Sequence, residues 1–122
     1  MSTIRVDNFG PSAGGTTYSA RGIAKAWVNF DGTGTIAARD SENVSSLTDN
    51  GTGAYTVNFS NAMGDTNYAT TGSAWYTGVS SATINIAAPP SSASSKPLNA
   101  ANLSGTAIDV NHIVGLFAGD LA

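Results

Sequence analysis

Cysteine is missing altogether from this chain of 122 residues. Its absence excludes a disulfide framework, a thiolate nucleophile and a cysteine zinc site. Cations are scarce: two lysines and three arginines, scattered at Arg5, Arg21, Lys25, Arg39 and Lys96, make no basic patch of the kind that binds nucleic acid irrespective of sequence. No nucleic-acid partner is expected. No stretch approaches about 20 consecutive apolar residues, so no helix is expected to enter a membrane. Residues 1–10 have neither the basic start nor the apolar run of a secretory signal, and the chain is expected to be soluble and not exported by that route. The single histidine, His112, leaves a serine-type hydrolase without a recognisable base partner. It reads as an ordinary strand residue with a satisfied hydrogen bond.

Acidic chemistry is thin as well. A glycosidase needs two carboxylates flanking the bond, and Glu42 with Asp40 or Asp49 could in principle converge across a hairpin, but spacing alone does not show it and acids near turns ordinarily solvate the surface or cap backbone amides. Asp40-Ser41-Glu42-Asn43 is too short for a calcium loop, and no phosphate-binding glycine loop is present. Neither a metal nor a cofactor is expected, and the chain is not expected to be an enzyme. Sequons at Asn43, Asn50, Asn58 and Asn102 are what so much Asn, Ser and Thr yields by chance.

Small residues are what the chain does have. Ser, Thr, Gly and Asn number 15, 14, 14 and 11, beside 19 Ala. A net charge of -3, with two Trp, four Tyr and four Phe, argues for an ordered domain with a thin core rather than for disorder.

Helical periodicity is absent, because poor helix formers interrupt nearly every window, while short alternating runs are common. In residues 24–30, Ala24, Ala26, Val28 and Phe30 share one face and Lys25, Trp27 and Asn29 the other, the pattern of a half-buried strand. Asp31-Gly32-Thr33-Gly34 then supplies a turn, with Asp-Gly providing positive φ, and 35–40 returns. The same grammar recurs as 44–49, Asn50-Gly51-Thr52-Gly53 and 54–59. Further strands are expected at 68–76, 82–87 and 106–117. About seven strands with frequent turns predict an all-β, antiparallel β-sandwich or jelly-roll-like domain over 23–122. Residues 1–22 read as an N-terminal arm or linker with a short strand at 4–6, and 89–105 as a long recognition loop or connector.

Two features point outward. Trp27 falls on the polar phase of its strand, and Trp75 and Tyr76, being adjacent, face opposite ways. Such rings either pack beneath a loop or another subunit, or form a platform on which sugar rings stack. Trp27, Trp75 and Tyr76 are the candidate ligand-binding residues. In the last strand Ile113, Val114, Leu116 and Phe117 are apolar in both phases, which calls for cover on both sides. With so few large apolar residues elsewhere, the second cover is expected to be another copy of the chain, and these four are the candidate oligomer interface.

The runs Ala26-Trp27-Val28-Asn29-Phe30-x-Gly32-Thr33-Gly34 and Asp49-Asn50-Gly51-Thr52-Gly53-x-Tyr55-Thr56-Val57-Asn58-Phe59, within an ordered match over 22–69, resemble a domain of bacteriophage tail-fibre and related virion proteins. The resemblance implies an all-β virion module, commonly a homotrimer, made in the host cytoplasm, contacting other virion proteins and presenting a host-recognition surface for cell-surface polysaccharide. Only residues 1–22 precede the motif, which leaves two builds: a minimal short fibre, or a decoration protein on the phage head. No binding residue carries over, because the motif is mostly turn and core.

Overall fold

The computed structural model describes residues 2–10, 12–77, 82–85 and 92–122. Its strands, in chain order, are β1 (Asn8–Phe9), β2 (Tyr18–Ser19), β3 (Ala24–Asp31), β4 (Ala37–Glu42), β5 (Val44–Gly51), β6 (Ala54–Phe59), β7 (Ala69–Trp75), β8 (Ala82–Asn85), β9 (Ser95–Asn102) and β10 (His112–Ala118). β1 and β2 form a small ribbon, and the other eight build two antiparallel sheets, ordered β4-β3-β10-β7 and β5-β6-β9-β8. The domain is an all-β sandwich. No helix of the described residues is long and apolar enough to cross a membrane.

The alternation in the sequence is what closes the sandwich. Ala26, Val28 and Phe30 of β3 and Tyr55, Val57 and Phe59 of β6 turn inward and are buried, so each sheet offers one apolar face to the other. Aromatic rings span the gap edge to face: Phe30 meets Tyr55 at 5.3 Å and Phe117 meets Phe59 at 5.1 Å between centroids. Such pairs contribute about 0.5–1.5 kcal/mol each beyond the area they bury.

The chain changes sheets at Asn43, between β4 and β5, with φ at 55°, a conformation Asn tolerates better than other non-glycine residues. Its side chain ties this corner to the exit from β6: Oδ1 accepts from the Asn61 backbone amide at 2.7 Å and Nδ2 donates to the Asn61 carbonyl at 3.0 Å.

Four expectations need correction. Residues 95–102, read as loop, are β9, a central strand with Lys96, Leu98 and Ala100 inward. Pro97 hides it, yet costs the β6 ladder nothing. Ser94 accepts from Phe59 N and Ala100 donates to Gly53 O, so the even-numbered residues bond to β6 and the Pro97 nitrogen faces away from it. Residues 106–111 are not strand but the crossing from β9 to β10, held by Gly32 N donating to Val110 O at 2.9 Å. The arm has its strands at β1 and β2 rather than at 4–6. Positive φ in the first hairpin falls on Gly34, not Gly32. Gly32 is required for space instead, since a Cβ there would lie 2.5 Å from the Tyr55 hydroxyl. Residues 86–91, the end of one expected strand and the start of the expected loop, lie outside the described residues.

Candidate functional site

The outer face of the first sheet collects the side chains that the alternation turned away from the core. Cross-strand register sets them in rows: Glu42, Trp27, Leu116 and Thr71 in one, then Asp40, Asn29, Val114 and Ser73, then His112 beside Trp75. Trp75 is 57% exposed, Leu116 40% and Val114 38%. Two strand spacings across and four residues along separate the tryptophans by about 16 Å. They therefore stand at two ends of one polar and apolar surface rather than in one pocket.

The surface is held in place. The imidazole of His112 lies against the Trp75 indole, 4.9 Å between centroids and 32° from parallel, which sets the tilt of the exposed ring. At the other edge Arg39 is the extra residue where the β3–β4 register shifts, and such a bulge re-aims a side chain. Its guanidinium reaches Asp31 Oδ2 at 3.3 Å, Asn29 Oδ1 at 3.5 Å and the Asn111 carbonyl. Asp31 is held below the usual carboxylate range, chiefly by the Thr33 hydroxyl and amide that donate to it, with Arg39 adding to the effect.

Tyr76 is not part of this face. It points the other way, half-buried, into a cleft of about 470 Å³ shared with Thr52, Asn102, Ala107, Ile108 and Asp109. The expected interface residues divide in the same manner. Ile113 and Phe117 are fully buried in the chain's own core, so they are no interface, because alternate residues of a strand face opposite sides of the sheet. Val114 and Leu116 remain available to a neighbour.

The acids are dispersed. Asp40 and Glu42 stand on the outer face, while Asp49 belongs to the second sheet, where its Oδ1 takes the Gly51 amide at 2.9 Å. Among the described residues no three His, Cys, Asp or Glu converge as a metal site would require. Gly10-x-Ser12-x-Gly14 has the spacing of a nucleophile elbow but falls between β1 and β2, and the element after it is strand β2 rather than the helix that an elbow opens. A second depression of about 280 Å³ between β4 and β5 holds Ile36, Val44, Leu47 and small residues, with no aromatic ring or charge to orient a ligand.

No family model, curated protein or solved structure matches this chain. The site must be read from its own chemistry.

Asn102 and Asp109 were not singled out as binding residues in the sequence. Asn102 reads there only as a chance sequon, and Asp109 lies within the run expected as strand at 106–117. The signal for Asn102 is the Asn-x-Ser-Gly run of 102–105, a turn whose Asn side chain caps backbone amides: Asn102 Oδ1 accepts from Ser104 N and Thr106 N.

Proposed function

We propose that this chain is a virion structural protein of the tail-fibre type that presents a surface for host glycan. The observation that carries the reading is Trp27 and Trp75 on one outward face, with Asn29, Ser73 and Thr71 on their own two strands and Val114 and Leu116 on the strand between. Flat rings flanked by hydrogen-bonding groups are what successive sugars of a polysaccharide need: apolar ring faces stack and hydroxyls find partners. The resemblance over 22–69 maps onto β3 to β6 and supplies the virion context. In this reading the protein is a homotrimer without catalytic activity, joined to other virion proteins.

The test is retention of the purified oligomer on a panel of host-surface polysaccharides. Binding that Trp75→Ala abolishes, with an unchanged far-ultraviolet dichroism spectrum, is the expected result. No retention on any polysaccharide, while another protein of the same virion is retained, overturns the adhesion reading.

One observation favours decoration of the phage head. The arm carries Ile4, Val6 and Phe9 exposed at 87, 55 and 46%, a run of apolar side chains suited to docking on a shell. Labelled electron microscopy separates the two, because a decoration protein covers the head lattice in high copy and a fibre protein sits on the tail.

A further inference from the structure

Away from the tryptophan face, at one end of the sandwich, lies the cleft that holds Tyr76. Its walls are the end of β7, the β5–β6 turn and the 102–109 segment, and each is locked by hydrogen bonds. Asn111 clasps the residue after Tyr76, accepting from Thr77 N at 3.1 Å and donating to its hydroxyl at 2.8 Å. Asp109 Oδ1 accepts from Gly53 N at 2.8 Å and from the Tyr55 hydroxyl at 3.0 Å. Asn102 Oδ1 takes two amides of its own turn at 3.0 and 2.9 Å.

Both polar side chains are thus anchored through one oxygen and keep their other atom for a ligand. Asp109 offers Oδ2 as an acceptor and Asn102 offers Nδ2 as a donor. Ile108 and Ala107 add an apolar wall and Tyr76 an aromatic one, and the cleft, about 470 Å³, falls within the range of small-molecule sites.

We propose that the Tyr76–Asp109 cleft is a binding subsite for one neutral pyranose ring. The sugar's apolar face stacks on Tyr76 and Ile108, a hydroxyl donates to Asp109 Oδ2, and a neighbouring oxygen accepts from Asn102 Nδ2. An acceptor and a donor side by side match the adjacent hydroxyls of a sugar, which both give and take hydrogen bonds. Charge selects against other ligands of this size. A fixed carboxylate in a chain of net charge -3 repels uronic acids and phosphates. The inference rests on the glycan-binding part of the function proposed above, and places a second, separate contact on the same molecule.

The experiment uses the full-length, nitrogen-15-labelled protein, titrated with methyl glucoside, methyl galactoside, methyl mannoside and N-acetylglucosamine, and with glucuronate as the anionic control. Saturable shifts of the Gly53 amide and the Asn102 side-chain amide with at least one neutral sugar, and none with glucuronate, are expected. Asp109→Asn keeps the oxygen that holds Gly53 and Tyr55 but replaces the free acceptor, and is expected to weaken binding at least about tenfold, or 1.4 kcal/mol. Should that variant not fold, Tyr76→Leu removes the ring face while keeping apolar bulk, with the same expected loss.

Silence of both reporters with every neutral sugar, equal affinity in both variants, or glucuronate binding as well as the neutral sugars overturns the subsite. Shifts confined to the Trp27 and Trp75 indole signals overturn it too, and leave the outer-face reading standing. Saturation of the cleft by a protein that no host polysaccharide retains does the reverse.

Discussion

Tyr55 joins three parts of the domain through one hydroxyl. Its proton is shared between the Gly32 carbonyl at 2.8 Å and Asp109 Oδ1 at 3.0 Å, so the β3–β4 turn, the core and the cleft wall meet at one atom. Tyr55→Phe leaves the buried Gly32 carbonyl short of a donor and is expected to cost about 1–3 kcal/mol in urea denaturation. Burial, with the Asp109 carboxylate beside it, pushes the Tyr55 hydroxyl far above its ordinary value of 10.0, and burial also raises Tyr68. In both the folded state holds the proton that the unfolded state releases. Their stabilisation is therefore complete below pH 10.0 and is lost as pH rises through the folded values. Buried Lys96 runs oppositely, its amine lowered by burial, and recovers stability as pH climbs towards 10.5. Thermal melts across the alkaline range are expected to show a falling limb above pH 10 that is shallower in Tyr55→Phe. Gly32→Ala drives a methyl against the same hydroxyl and against Ile113 Cδ1 at 2.8 Å, and a loss of about 1–3 kcal/mol is expected in urea.

β10 shows how one element serves two faces. Ile113, Gly115 and Phe117 point inward, and Gly115 is glycine because a Cβ would lie 3.0 Å from the Phe117 ring and 3.2 Å from Leu98. Urea denaturation of an alanine series should alternate along the strand. Ile113→Ala and Phe117→Ala are expected to lose about 2–5 kcal/mol, whereas Val114→Ala and Leu116→Ala stay within about 0.5 kcal/mol under conditions where the protein is monomeric. Elements with clean alternation, β3 and β6, were legible in the sequence almost to the residue. β9 was not, because a lysine occupies an inward position where a pattern search expects an apolar residue and a proline follows it, and only pairing with β6 shows that both fit. The crossing at 106–111 was misread for the converse reason. Ile108 and Val110 alternate and turn inward, but the chain there travels between sheets and has no ladder of its own.

At the scale of the whole molecule, the outer face and its edges decide association. The edge strands β4 and β5 are interrupted by register shifts at Arg39 and near Ser45 and Asn50, and bulges of this kind discourage open-ended edge pairing. On the outer face, Leu116 and Val114 are the exposed aliphatic side chains left for a contact in the proposed trimer. In the proposed trimer, Leu116→Asp is expected to reduce the mass measured by light scattering to that of the 12.3 kDa chain without loss of the dichroism spectrum. A trimer that survives the substitution removes this face from the interface. The acidic balance, with an isoelectric point near 4.6, places the solubility minimum near that pH.

Composition and alternation by themselves determined the class of the fold, the two central hairpins, the thin aromatic core and the outward phase of Trp27. These depend on periodicity two and on local turn residues, which a linear pattern contains. Which outward residues share a surface depends on register and on the sheet each strand joins, and only the tertiary structure decided that. It set Trp27 and Trp75 on one face, turned Tyr76 into a separate cleft, and returned Ile113 and Phe117 to the core. It also brought Gly53, Tyr55, Asn102 and Asp109 together from distant parts of the chain, because hydrogen bonds between the two sheets and their crossing segments carry no period in the sequence.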